Sequence, residues 1–203
     1  GTLTITESTV EITVVPGSGS KTYDGTALTK TAHDDFTVTG VPEGFTWTAT
    51  ADGTVTNVTP GEGEKAVNAV TSFQIFNADG EDVTDQFANI DTSATGTLTI
   101  NPRPITLTAN DANNEYTGST ITYATAEDAE EPYYAISSGS LANGQSITAI
   151  ALTGEGVEAG EYDIEITEGS VAIGTYTDNY TISLVKGTLT ITESTVEITV
   201  VPG

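Results

Sequence analysis

Polar and apolar residues alternate one by one along much of this chain. In "VEITVV" (residues 10 to 15) Val10, Ile12 and Val14 fall on one side, with Glu11 and Thr13 on the other. In "FTWTAT" (45 to 50) Phe45, Trp47 and Ala49 oppose three threonines. A period of two sends successive side chains to opposite faces and predicts half-buried β-strands. Turn chemistry interrupts the runs at "PGSGS" (16 to 20), "YDG" (23 to 25), "PGEGE" (60 to 64), "NADGED" (77 to 82), "LANGQ" (141 to 145) and "GEGVEAGE" (154 to 161). Each brings Gly, Asn or Asp where positive backbone angles or local side-chain hydrogen bonds are needed. No window carries a sustained helical period with caps. At most a single helical turn is expected, around "DVTDQF" (82 to 87) and "GTYTDNY" (174 to 180).

Many short strands separated by turns predict an all-β protein, and favour antiparallel immunoglobulin-like β-sandwiches, with a small β-grasp-like fold as the alternative. The number of domains follows from repetition. Residues 1 to 17, "GTLTITESTVEITVVPG", recur unchanged at residues 187 to 203, which sets a repeat period of 186 residues. "GTLTI" occurs a third time at 96 to 100, and "VEITVVPGSGSKTYDGTALT" from Val10 has a weaker echo in "RPITLTANDANNEYTGSTIT" from Arg103. Tyr23 and Tyr116 are thereby offset by 93 residues, half the period, as are Ile12 and Ile105. Fixed-period self-similarity is the mark of a chain built from repeated units.

Two diverged domains arranged end to end are therefore expected, the first over residues 10 to 101 and the second over residues 102 to 191. "NPRP" (101 to 104) is the stiff joint between them, because each proline restricts itself and its predecessor. Residues 1 to 9 are read as the last strand of a preceding repeat and residues 192 to 203 as the first strand of a following one. Such strands without their own sheets are open to pairing with neighbouring molecules. Both domains close alike, with Asp85, Phe87 and Ile90 before Gly96, and Asp178, Tyr180 and Ile182 before Gly187. This predicts a corner leading into a final hairpin.

Charge narrows the partners. The 203 residues carry 29 acids against 5 bases, a formal net charge of −24. Both halves share the bias, with 13 acids and 3 bases in residues 10 to 101 and 13 acids and 2 bases in residues 102 to 191. Nucleic acid binding needs a basic footprint and is excluded, and anionic membrane surfaces are disfavoured by the same sign. No stretch is apolar enough for a membrane span. The absence of cysteine and methionine removes disulfides and thiolate chemistry, and suits an exported, oxidant-exposed chain. A self-repelling monomer is expected.

The succession "KTYDGTALT" (21 to 29), "VTGVPEGFTWTATADGTVTNVTPGE" (38 to 62), "DVTDQFANI" (82 to 90) and "GTLTI" (96 to 100) resembles the MBG and YDG-type repeats of bacterial cell-surface proteins and adhesins. The second half keeps the skeleton in "NEYTGSTIT" (114 to 122) and "DNYTISLVKGTLTI" (178 to 191). It departs by "YTG" in place of "YDG" and by the acidic stretch "AEDAEEPYY" (126 to 134). The resemblance implies extracellular display on a bacterial surface, attached to the wall through regions outside this sequence. The modules would be tandem stalk or adhesive units whose partners are neighbouring repeats of the same chain.

Candidates for chemistry are few, and no catalysed reaction, cofactor or metal is expected. His33, in "AHDDF", is the single histidine and is read as a surface loop residue. Asn77, Asp79, Glu81 and Asp82 offer oxygens of the kind calcium takes, but their order suits a hairpin turn better. The pair Glu130 and Glu131 is weighed for glycoside hydrolysis, which needs two carboxyls across a cleft that small β-domains rarely provide. Trp47 is assigned to the core from its side of the strand, and Tyr23 and Tyr116 to packing beneath their turns, where the following glycine meets a backbone position strained for other residues. Lys21, Lys30, Lys65 and Lys186 lie beside turns rather than in the buried setting that an interstrand isopeptide crosslink requires. Tyr133 and Tyr134 are adjacent and so face opposite ways on a strand. Together with the acidic stretch they are the ligand-binding candidates of the alternative reading, a module for host or environmental glycans or mucin.

Overall fold

A computed structural model describes residues 1 to 124 and 133 to 197. The chain is all-β, about half strand, with several small mixed sheets and, among the described residues, three single-turn 3-10 segments. It divides into two compact units, Gly1–Asn101 and Pro102–Gly203.

Unit 1 contains nine strands, β1 (Ser8–Pro16), β2 (Gly19–Thr22), β3 (Leu28–Thr29), β4 (Phe36–Thr39), β5 (Thr46–Ala51), β6 (Thr54–Val55), β7 (Val67–Phe76), β8 (Phe87–Asp91) and β9 (Thr95–Asn101). They form a three-stranded sheet β4-β1-β8, a four-stranded sheet β2-β9-β7-β5 and the small pair β3-β6. The alternation seen in the sequence is the alternation of burial. Ile12 and Val14 of β1 are buried while Glu11 is exposed, and β5 exposes Thr46, Thr48 and Thr50 while turning Trp47 and Ala49 inward. Ile12, Val14, Phe36 and Phe87 of the first sheet pack with Ile75 of the second, so the two sheets share one core.

Among its described residues unit 2 contains eight strands, β10 (Arg103–Ala109), β11 (Ala112–Glu115), β12 (Ile121–Ala124), β13 (Tyr134–Ser138), β14 (Leu152–Gly156), β15 (Gly160–Ile166), β16 (Tyr180–Val185) and β17 (Gly187–Thr192). The sheets are β13-β10-β16 and β11-β17-β15-β14-β12. Ile105, Leu107, Ile164, Leu189 and Ile191 are buried almost completely.

The expected final hairpin is absent, and the sheets are mixed rather than antiparallel throughout. β8 and β9 belong to different sheets, and β8 instead runs parallel to β1 while β9 runs parallel to β2. In unit 2 β16 runs parallel to β10 and β17 to β11. Each unit therefore lays its last segment beside its first, and both segments change sheet together. Alternation specifies which face a residue takes, but it is the same for either strand direction, so it could not reveal this pairing.

The crossing is close enough to select its residues. A Cβ on Gly96, where β9 begins, would lie 2.1 Å from the Gly17 carbonyl oxygen, and one on Gly187, where β17 begins, 2.5 Å from that of Ala109. Glycine is required because one backbone passes against another. The single turns at Thr84–Gln86 and Thr177–Asn179 fall within the two expected stretches, and a third, His33–Asp35, precedes β4.

The two units differ where Phe87 is replaced by Tyr180. The Tyr180 hydroxyl accepts the Ala142 amide hydrogen at 2.8 Å and donates to Gln145 Oε1 at 2.5 Å, pinning the "LANGQ" turn over the core. Tyr180→Phe should cost about 1 to 3 kcal/mol, the range for leaving a buried amide without an acceptor. Hydrogen exchange at Ala142 should accelerate accordingly. Unchanged exchange there would show that the hydroxyl does not hold the turn.

Candidate functional site

The surface chemistry of unit 1 is organised by its three lysines. Lys21 reaches Asp24 at 2.7 Å, Lys30 reaches Asp35 at 2.9 Å and Lys65 pairs with Asp52. In "YDG" the Asp24 carboxylate also accepts the Thr26 amide at 2.9 Å and the Thr26 hydroxyl at 2.8 Å. The Lys21 ammonium first, and then the Thr26 donors, hold the Asp24 carboxyl at about 2 instead of its ordinary 3.8. A depressed carboxyl stabilises the fold fully above its ordinary value, and that contribution is lost as pH falls towards about 2. Carboxyl-detected NMR should find the low midpoint, and Lys21→Ala should raise it towards the ordinary value. An unmoved midpoint in the variant would remove Lys21 as the cause.

Burial and hydrogen bonding pull the Glu64 carboxyl in opposite directions. Burial would raise its carboxyl, but amide donors from Gly61, Thr56 and Asn57 outweigh it and leave it lowered. Its Oε1 accepts the Thr56 amide at 3.0 Å and the Asn57 side-chain amide at 3.1 Å, so it organises the "PGEGE" loop.

The aromatic candidates separate by unit. Trp47 packs against the core of unit 1 with Phe36 and Phe73 nearby. Its outward-facing side is covered by the His33 imidazole, stacked at 4.0 Å and 13° between planes. His33 is an exposed residue in a 3-10 turn, as the sequence suggests, but the indole that fixes it lies fourteen positions away and no local pattern announces the contact. Tyr23 is buried and Tyr116 half-buried. Their amides donate to equivalent acceptors at the ends of the last strands, Asn101 at 2.8 Å and Thr192 at 2.9 Å. Gly25 and Gly118 have φ of 81° and 79°, the left-handed geometry expected of the recurring glycine.

Tyr133 and Tyr134 are both half-buried. Tyr134 opens β13 opposite Ala109, and burial pushes its hydroxyl pKa up. The Tyr133 ring meets Tyr123 edge to face, with centroids 5.3 Å apart. Tyr123, which sequence reading did not single out, lines an open groove of about 420 Å³ with Thr122, Thr153, Gly154, Glu155, Asp163 and Glu165. Burial first, and the neighbouring Tyr133 second, raise the Tyr123 hydroxyl pKa. Lys186 holds Asp163 at 2.8 Å and Glu165 at 2.5 Å beside this groove. The arrangement offers one aromatic ring, hydroxyls and carboxylates, the equipment for hydrogen-bonded ligand contact.

"NADGED" forms a turn. The Asn77 side-chain oxygen accepts the amides of Asp79 at 3.0 Å and Glu81 at 2.9 Å, and Gly80 has φ of 79°. Among the described residues no three His, Cys, Asp or Glu side chains are grouped as a metal site. Glu130 and Glu131, with the rest of the acidic stretch up to residue 132, lie outside the described residues. No helix among the described residues is long and apolar enough to cross a membrane. Compared with protein-family models, with curated proteins and with solved structures, the chain matches none of them.

Proposed function

We infer that this chain is a non-catalytic tandem repeat module of a bacterial cell-surface stalk or adhesin, akin to MBG and YDG-type repeats. Its units are immunoglobulin-like sandwiches placed end to end, spacing an adhesive region from the surface. The observation that carries this reading is duplication. Both units lay their last segment parallel to their first, and a seventeen-residue sequence is shared by the two ends of the chain. Two sheets sharing one core in unit 1 support the sandwich over the β-grasp alternative. The uniform acidic charge supports display, since like-charged modules resist collapse onto one another.

Solution X-ray scattering tests the arrangement. End-to-end units should give a radius of gyration of about 21 to 23 Å, against about 17 Å for a single globule of this length. The smaller value would end the stalk reading.

The second reading, a glycan- or mucin-binding module, is favoured by one observation, the Tyr123 ring in a groove bearing hydroxyls and carboxylates with Tyr133 packed behind it. Retention on immobilised mucin that is lost in Tyr123→Ala would support it. Absence of retention by the parent chain would dismiss it.

A further inference from the structure

The two units cover their cores differently. In unit 1 the segment after β4 becomes β5, which pairs antiparallel with β7 from Thr46 opposite Phe76 to Ala51 opposite Val70 and brings Phe45 and Trp47 onto the core. The Phe45 ring meets Phe87, the first residue of β8, edge to face at 5.5 Å. β13 pairs antiparallel with β10 as β4 does with β1, but the segment after it is not built like β5. Residues 139 to 151 form no strand, are tied to the chain after β15 by the isolated bridge of Ala149 with Ala172, and contain no aromatic residue. Next to that bridge Val171 lines a groove of about 470 Å³ with Tyr180, Ile182 and Leu184 of β16. Glu168 and Asp178, both exposed, line it as well. β16 is the edge strand of its sheet, hydrogen-bonded to β10 on one side.

We propose that this groove takes an extended segment of a partner protein, apolar at alternate positions and flanked by Lys or Arg, which adds to the free edge of β16. An edge strand offers main-chain donors and acceptors to an incoming strand, and pockets beside it select alternate side chains. Ile182 and Leu184 are half-buried and stand two residues apart, about 7 Å along a strand, the spacing at which the guest's own inward side chains recur. The β5 segment of unit 1 shows the form of such an occupant, with Phe45 and Trp47 inward and threonines between them.

Charge selects the flanks. The four lysines are taken up by Asp24, Asp35, Asp52, Asp163 and Glu165, and none reaches Glu168 or Asp178. A second copy of this chain, at a formal −24, is repelled, whereas a basic segment is drawn in. The groove shares no lining residue with the Tyr123 groove and lies wholly in unit 2. Failure of the stalk or the glycan reading therefore leaves this inference standing.

The test is a titration of the full chain, methyl-labelled for NMR, with the synthetic peptide "KKFTWTATKK", whose central letters are those of residues 45 to 50. The methyl resonances of Val171, Ile182 and Leu184 should shift, while those of Ile75 in the core of unit 1 should not. The acidic counterpart "EEFTWTATEE" should bind at least about tenfold more weakly, and Glu168→Lys with Asp178→Asn should weaken the basic peptide by about tenfold. Both substituted residues are exposed, so the fold is retained. "KKTTTTTTKK", which keeps the charge and loses the apolar side chains, should leave the three residues unmoved. Absence of shifts at those residues, equal affinity for the acidic peptide, or undiminished binding of the all-threonine peptide would each overturn the proposal.

Discussion

Gly40→Ala should destabilise unit 1 by about 3 kcal/mol or more, combining left-handed backbone strain with a steric clash. Gly40 has φ of +88°, and a Cβ there would lie 1.9 Å from the Glu11 carbonyl oxygen and 3.2 Å from the Ile12 Cα. The obstacle is main chain of the central strand of its sheet, which cannot turn aside as a side chain can. Gly44 separates the two causes, since its φ is +89° and nothing lies within 4 Å of its Cβ position. Gly44→Ala should therefore cost only about 1 kcal/mol, the strain alone. Denaturant unfolding of both variants checks the difference. Equal costs would mean that the close approach does not exist.

Unit 2 repeats the same contact. Gly139 has φ of +74°, and a Cβ on it would lie 2.4 Å from the Pro104 carbonyl oxygen. Glu11 and Pro104 are 93 residues apart, as the internal echo requires, yet Gly40 and Gly139 are not. The equivalence is geometric, since Thr39 opposite Thr13 precedes one glycine and Ser138 opposite Thr106 precedes the other.

Asn68→Ala should remove about 3 to 5 kcal/mol from unit 1, because it strips the partner from one buried amide and two half-buried carbonyls at once. Asn68 is fully buried on β7. Its side-chain oxygen accepts the Gly53 amide at 2.8 Å, and its side-chain nitrogen donates to the carbonyls of Gly17 at 3.0 Å and Lys30 at 2.8 Å. One carboxamide thus ties the β1–β2 crossing, the chain after β3 and the β5–β6 turn to a single point.

Asn68→Asp gives a sharper test of the donor role. An aspartate there faces two carbonyl oxygens in a buried site, so its folded pKa is raised above the unfolded value. Its penalty is then small in acid and grows as pH rises through the carboxyl range. A variant whose stability shows no added pH dependence would mean that water, rather than Asn68, serves those carbonyls.

Neither Asn68 nor Gly40 stands out in the sequence. Asn68 sits in "AVNAV", where one polar letter between apolar ones looks like the outward side of a strand. Its inward placement follows from the three main-chain groups that converge on it, and these come from segments 15 to 51 residues away. Tyr123 was hidden for a similar reason. The groove it lines is assembled from β12, β14 and β15, while Tyr133 and Tyr134 stand out in the sequence by their adjacency and by the acidic stretch before them.

Other features are local and were readable. The faces of β1, β5 and β9 follow alternation residue by residue. The turn at "NADGED" and the glycines of "YDG" and "YTG" follow from backbone geometry that few other residues tolerate. The 93-residue echo shows in Ile12 and Ile105, both buried on the first strands of their units.

The hexapeptide "GTLTIT" marks the boundary between the two kinds of information. By itself the sequence determined that this segment is strand-forming, with Leu and Ile on one face and a glycine at its head. Tertiary structure alone decided that at residues 187 to 192 it is a buried strand lying parallel to β11 and antiparallel to β15. A strand acquires its stability from the strands beside it and from burial of one face, so these letters form a buried strand because other segments supply β11 on one side and β15 on the other.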